Sequence, residues 1–236
     1  MKNRRIELFS DDIGAVEYID HMGSDLTVVN SARVSFGVNK KELDDRDKKL
    51  INYLINHKHT STLEHNVITF KFTVPLFIRS QHHRHRTWSY NEISRRYTDV
   101  DMKFYTPEMF RTQHVSNRQA SNDELINPSL DGGITLANRA VEAHSRSCLN
   151  LYNSLINSGV CREQARGVLP QNMYTEYYGT CNLGNLLKFI NLRIHSGAQW
   201  EIQQVAKACL KISQELFPVT VSSYMESLNE TSKREQ

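Results

Sequence analysis

Residues 67–86, VITFKFTVPLFIRSQHHRHR, constrain the architecture more than any other stretch. Ile68, Phe70, Phe72 and Val74 alternate with Val67, Thr69, Lys71 and Thr73, so the segment reads as a strand with one apolar and one largely polar face. Pro75 stops the strand and suits the first turn of a helix. That helix would deliver Arg84, His85 and Arg86 at or near its end.

The remaining chain is mostly helical in pattern. Residues 15–36 contain short apolar runs broken by Gly23, fitting a strand or two and then a short helix. In 40–57, Leu43, Leu50, Ile51, Leu54 and Ile55 recur at helical spacing between charges. Residues 134–159 form a long amphipathic pattern closed by Gly159, residues 161–169 a short one ended by Pro170, and residues 182–217 one or two more. Between them, 98–133 is polar and holds Pro107, Pro128 and the Gly132-Gly133 pair, which predicts a long surface excursion, with room for a short helix. The expected fold class is α+β, several helices on a mostly antiparallel sheet. Residues 1–226 read as a single domain, and 227–236 as a polar, frayed C-terminal tail.

Charge narrows the function. Twenty-nine Lys and Arg against 26 Asp and Glu give a formal net charge of +3, too small for a protein that coats polyanions, so any anion preference is local. The four cysteines, Cys148, Cys161, Cys181 and Cys209, are widely spaced and form no C-x-x-C pair. No apolar leader and no stretch of bilayer-spanning length occurs, so the expectation is a soluble cytoplasmic protein with no membrane partner.

The chemistry concentrates in residues 84–97, RHRTWSYNEISRRY. Neither common glycine-rich phosphate loop is present, so a phosphate would have to be held by side chains, and arginine's planar fork suits that task. Arg84, His85, Arg86, Arg95 and Arg96 therefore point to a phosphate-rich ligand. Glu92 in their midst would repel a nucleic-acid backbone but could orient an arginine or accept from a base or ribose. Gln81, Ser89, Asn91 and Ser94 supply further donors and acceptors. The bland alternative is a solvated charged turn, but such turns favour Lys and Glu, and this run has no lysine. His57, His59, Glu64 and His65 match no common zinc spacing, so no metal is expected. Arg193 and Arg166 lie in more apolar contexts, where each needs a carboxylate or an anionic ligand as partner.

Taken together, these segments resemble the flavin-dependent thymidylate synthases. The hallmark of that family is R-H-R, seven or eight residues, then S, and Arg84-His85-Arg86 with Ser94 fits it. Agreement extends through ARVSF (32–36), HTSTLEH (59–65), FYTPE (104–108), ARGVLP (165–170) and NLRIHSGAQWEIQ (191–203), in the family's order. The resemblance implies a homotetramer with active sites built between subunits. It also implies methylation of dUMP to dTMP, with methylenetetrahydrofolate as carbon donor, NADPH as reductant and FAD carrying the hydride. By the same resemblance Ser61, His59, Arg84, His85, Arg86, Glu92, Asn182 and Lys188 fall at the cofactor. Gln81, Arg84, Glu92, Ser94, Arg95, Arg96, Arg166 and Arg193 fall along dUMP, with Arg166 reaching in from a neighbouring subunit. Arg193 would be catalytic, stabilising charge that develops on the pyrimidine. Ser94 has no paired base and reads as a ligand contact rather than a nucleophile.

Two positions depart from the family pattern. Gly197 stands where a histidine is common, and Lys188 where an asparagine can contact the cofactor. The rival class is a nucleic-acid-binding module in which the arginines track a backbone and Trp88 or Tyr90 stacks on bases. A third reading is an inactive family member that binds ligand without turnover.

Overall fold

The computed structural model describes residues 4–234. Its nine strands are β1 (Arg5–Glu7), β2 (Ala15–Met22), β3 (Val67–Pro75), β4 (Ser89–Glu92), β5 (Phe110–Gln113), β6 (Ser121–Ile126), β7 (Ser129–Leu130), β8 (Thr135–Leu136) and β9 (Tyr174–Asn182). The α-helices are α1 (Asp25–Arg33), α2 (Asp45–Asn56), α3 (Leu76–His82), α4 (Ala137–Asn157), α5 (Arg162–Ala165), α6 (Leu183–Ile194), α7 (Trp200–Leu216) and α8 (Pro218–Arg234).

A five-stranded sheet, ordered β1-β2-β3-β9-β4 with every neighbouring pair antiparallel, carries the fold. The alternation in β3 has the expected effect: Ile68, Phe70, Phe72 and Val74 are fully buried, while Lys71 on the other face pairs with Glu176 at 3.0 Å. Pro75 ends β3 with ψ 151° and serves as the N-cap of α3. Strand β9 pairs with β3 along its whole length, bringing Tyr177 opposite Phe72 and Gly179 opposite Phe70. The absence of a side chain at Gly179 is a packing requirement, since a Cβ there would lie 2.8 Å from Phe72 Cε2 and 3.2 Å from Trp88 Cε3.

Helices α6 and α7 cover the apolar face of the sheet with Leu183, Leu186, Leu187, Phe189 and Ile190 from one and Ile202, Val205, Ala206, Cys209 and Ile212 from the other. A smaller cluster of Tyr152, Ala165, Leu169 and Met173 sits beneath α4 and α5. Asp25, 4 % exposed, joins the first helix to the last, because its carboxylate accepts from the main-chain N–H groups of Val219 and Thr220 at 2.9 Å each and from Thr220 Oγ1 at 2.6 Å.

Two segments take a definite form. The excursion at 98–133 contains no α-helix; it forms the β5–β6 hairpin, β7 and a single 3₁₀ turn at Asp131–Gly133. Residues 227–234 of the expected polar tail continue α8, which runs as one helix to Arg234 and is anchored at its start by Asp25, and residues 235–236 lie outside the described residues. Among the described residues no helix is long and apolar enough to cross a membrane.

Candidate active site

The functional side chains are set by the turn between α3 and β4. Tyr90 Oη donates to the carbonyls of His82 (3.0 Å) and His85 (3.1 Å), tying the strand back onto the turn that carries Arg84-His85-Arg86. Fully buried His82 supports the turn from below: its Nδ1 lies 2.8 Å from Tyr177 Oη and its ring packs against Phe72, Trp88 and Phe189. Burial, and then the charges of His85, His83 and Arg193, push its basicity well below the ordinary histidine range. Trp88 is 6 % exposed, so it is a wedge in this cluster and not a surface on which a base could stack.

Arg193 projects from the last turn of α6 onto the same turn. Its Nε donates to His85 Nε2 at 3.1 Å and its Nη2 to the main-chain carbonyl of Gln81 at 3.5 Å. Both partners are neutral: burial, helped by the Arg193 charge, lowers His85 to about 4, so the imidazole accepts instead of competing as a cation. No described carboxylate pairs with Arg193, although burial already penalises its charge. The guanidinium of Arg84 and that of Arg86 lie exposed with no hydrogen-bond or ion-pair partner among the described residues. Three cations without counter-ions among the described residues therefore lie on or against the turn that leads into β4.

Glu92, at the other end of β4, is neutralised in place. Arg79 on α3 forks onto its Oε2 and Thr175 Oγ1 donates to its Oε1 at 2.7 Å. Past Glu92, Ser94 Oγ accepts from the Arg96 main-chain N–H at 3.3 Å, and no described histidine or carboxylate is hydrogen-bonded to it to take its proton. Arg96 reaches Glu163 at 3.6 Å, and Arg166 Nε donates to the Glu163 carbonyl at 3.4 Å, so Arg96 and Arg166 gather around one residue of α5. Arg95 departs from this surface. It is 9 % exposed, its Nη1 donates to the Val100 carbonyl at 2.9 Å, and it lines a separate cleft of about 300 Å³ with Thr73, Tyr174 and Glu176.

The arginines thus divide into two groups: Arg84, Arg86 and Arg193 before β4, and Arg96 with Arg166 after it. A third location is a cleft of about 530 Å³ lined by His59, Lys188, Asn191 and Tyr224 among others, between the end of α2, α6 and α8. Gly184, in the first turn of α6, also lines it; Asn182 caps that turn, its Oδ1 accepting from Asn185 N at 2.9 Å and its Nδ2 left for another partner. Ser61 is exposed in the short 3₁₀ turn that follows His59. Gly197 donates its N–H to His195 Nδ1 at 3.0 Å, closing the turn between α6 and α7.

Sequence reasoning missed Arg79 and Thr175, which hold Glu92, and Gln199 and Glu201, which hold Gln81. The only signal for Arg79 is its position on the helix that also carries Gln81. Thr175 could not be found without recognising β9.

Comparison with known proteins bears on this arrangement. The family model for thymidylate synthase complementing protein matches residues 17–219. A flavin-dependent thymidylate synthase of Thermus thermophilus is 42 % identical over 219 residues, covering 93 % of this chain and 78 % of the relative. One from Thermotoga neapolitana is 39 % identical, covering 91 % and 92 %. Among solved structures, the UMP/dUMP methylase PolB of Streptomyces cacaoi bound with 5-Br dUMP superposes with a TM-score of 0.80 at 35 % identity, covering 94 % of this chain and 97 % of that one.

Proposed function

Because the chain belongs to the thymidylate synthase complementing protein family, we propose that it is a flavin-dependent thymidylate synthase that methylates dUMP to dTMP, with methylenetetrahydrofolate as carbon donor and NADPH as reductant. The observation that carries this reading is Arg193: a half-buried guanidinium that, among the described residues, is held by a neutral imidazole and a carbonyl with no carboxylate to satisfy it. Such a group is placed to meet negative charge that arises on a ligand.

The donor set fits FAD and dUMP. Arg84, His85 and Arg86, with Ser61, Asn182 and Lys188, would hold the cofactor, and His59 would lie beside it in the 530 Å³ cleft. FAD supplies the two-electron redox chemistry when bound. Gln81, Arg84, Glu92, Ser94, Arg95, Arg96 and Arg166 would line dUMP; the inward turn of Arg95 makes it a support for the loop at 98–101 in the first instance. Arg193 holds its protonated guanidinium at the pyrimidine edge, where it lowers the energy of the charge-bearing ring without a covalent nucleophile. That no described base is hydrogen-bonded to Ser94 supports that route.

The division of the arginines between the two ends of β4 fits assembly as a homotetramer in which one chain's Arg84–Arg193 group faces another chain's Ser94–Arg96 group. The proposed setting is the cytoplasm. The test is to record the visible absorption of the purified protein, add NADPH and dUMP without oxygen, and then supply the folate. Flavin bands that bleach, followed by dTMP, are expected. A colourless protein that takes up neither FAD nor dUMP would overturn the reading.

A further inference from the structure

The amide of Gln81 has a fixed orientation. Its Nε2 donates to Oε1 of Gln199, and Nε2 of Gln199 donates to Oε2 of Glu201 at 2.9 Å. The second carboxylate oxygen of Glu201 accepts from Tyr105 Oη at 3.4 Å. A carboxylate accepts and cannot donate. Glu201 therefore compels Gln199 to turn its NH₂ group inward and its carbonyl toward Gln81. Facing an acceptor, Gln81 must answer with its own NH₂, and its Oε1 is left without a partner among the described residues. The main-chain carbonyl of the same residue accepts from Arg193, so the residue that carries this free acceptor is the one the guanidinium holds.

We propose that Glu201, acting through Gln199, is a positioning residue that sets base specificity by locking Gln81 to present an acceptor, next to the donors of Arg193, to the N3–H of a uracil ring. Donor beside acceptor complements the carbonyl–imide edge of uracil. A cytosine carries a lone pair at N3, which would set acceptor against acceptor. Neither Gln199 nor Glu201 touches the substrate; each acts only by fixing the polarity of its neighbour. The inference rests on the reading of Gln81 and Arg193 as dUMP contacts.

The test measures dUMP and dCMP affinities of the flavin-loaded protein by equilibrium dialysis, for the unmodified chain and for Gln199→Met, Glu201→Leu and Glu201→Gln. The unmodified chain should prefer dUMP. Gln199→Met and Glu201→Leu free the Gln81 amide and should each reduce the dUMP-to-dCMP preference about tenfold, the effect of one misdirected hydrogen bond. Glu201→Gln can still turn an acceptor toward Gln199 and should keep most of the preference. Gln199→Met alters a half-buried loop side chain, so it remains informative should Glu201→Leu fail to fold. A preference unchanged in the folded variants, or an equal loss of both affinities, overturns the proposal while leaving the activity assignment intact. Failure of the unmodified chain to bind dUMP removes that assignment, and this inference with it.

Discussion

Replacing Asp25 with alanine tests whether one carboxylate fixes the last helix. It accepts three hydrogen bonds from the start of α8, and Thr220 and Val221 beside it are fully buried. Hydrogen bonds to a charged group contribute about 1.5–3 kcal/mol each, but these three share one acceptor, and water entering the vacated space would satisfy part of what is lost. About 3–4 kcal/mol for the set is the resulting expectation, above the ~1 kcal/mol of an ordinary N-cap. For a chain of this size 1 kcal/mol moves the melting temperature by about 2–4 °C, so Asp25→Ala should melt on the order of 10 °C lower. Asp25→Asn keeps one acceptor and should lose about half as much. Urea unfolding followed by circular dichroism measures the difference. Since α8 contributes Tyr224 to the cleft that holds His59, flavin affinity should fall in parallel. A loss below about 1 kcal/mol would refute the argument and assign the anchoring of α8 to the packing of Phe217 and Val221 instead.

Arg193→Ala should abolish dTMP formation while the protein folds and retains flavin, and full activity in that variant would remove the assigned role. Ser94→Ala should raise the dissociation constant for dUMP and leave measurable turnover; complete loss of chemistry with normal dUMP affinity would reopen the nucleophile question. Gly179→Ala pushes a methyl into Phe72 and Trp88 and should cost about 1–3 kcal/mol in denaturant unfolding, as overpacking does. His85, lowered to about 4, and buried His82 stay neutral in the folded chain while their unfolded counterparts bind protons below about 6.5. Stability should therefore fall as pH drops from about 6.5 toward 4, and His85→Gln should flatten part of that slope.

The elements with one clean period were legible from sequence alone. β3, α2 and α4 each carry an apolar face and an opposite polar one, and the Arg84–Arg86 turn followed from Pro75 and the helix it starts. The interior strand β9 was not legible, because tyrosines fall on both of its faces: Tyr177 is buried and Tyr178 exposed, so no alternation of polarity shows. α8 was obscured by its polar end, and its anchor is a residue 194 positions away in sequence. Residue types identified the arginines of the site, but their division between the two ends of β4, the inward turn of Arg95 and the relay from Glu201 to Gln81 depend on which side chains tertiary packing brings together.

The separation of the two arginine groups bears on inheritance. In the assembly proposed above, a chain damaged at Arg193 and a chain damaged at Arg96 each keep the half that the other lacks. Two null alleles expressed together would then regain part of the activity that neither has alone. Conversely, a variant damaged in both halves but still able to assemble would poison the sites of healthy partners, so the severity of a lesion would be counted by pairings of chains and not by chains.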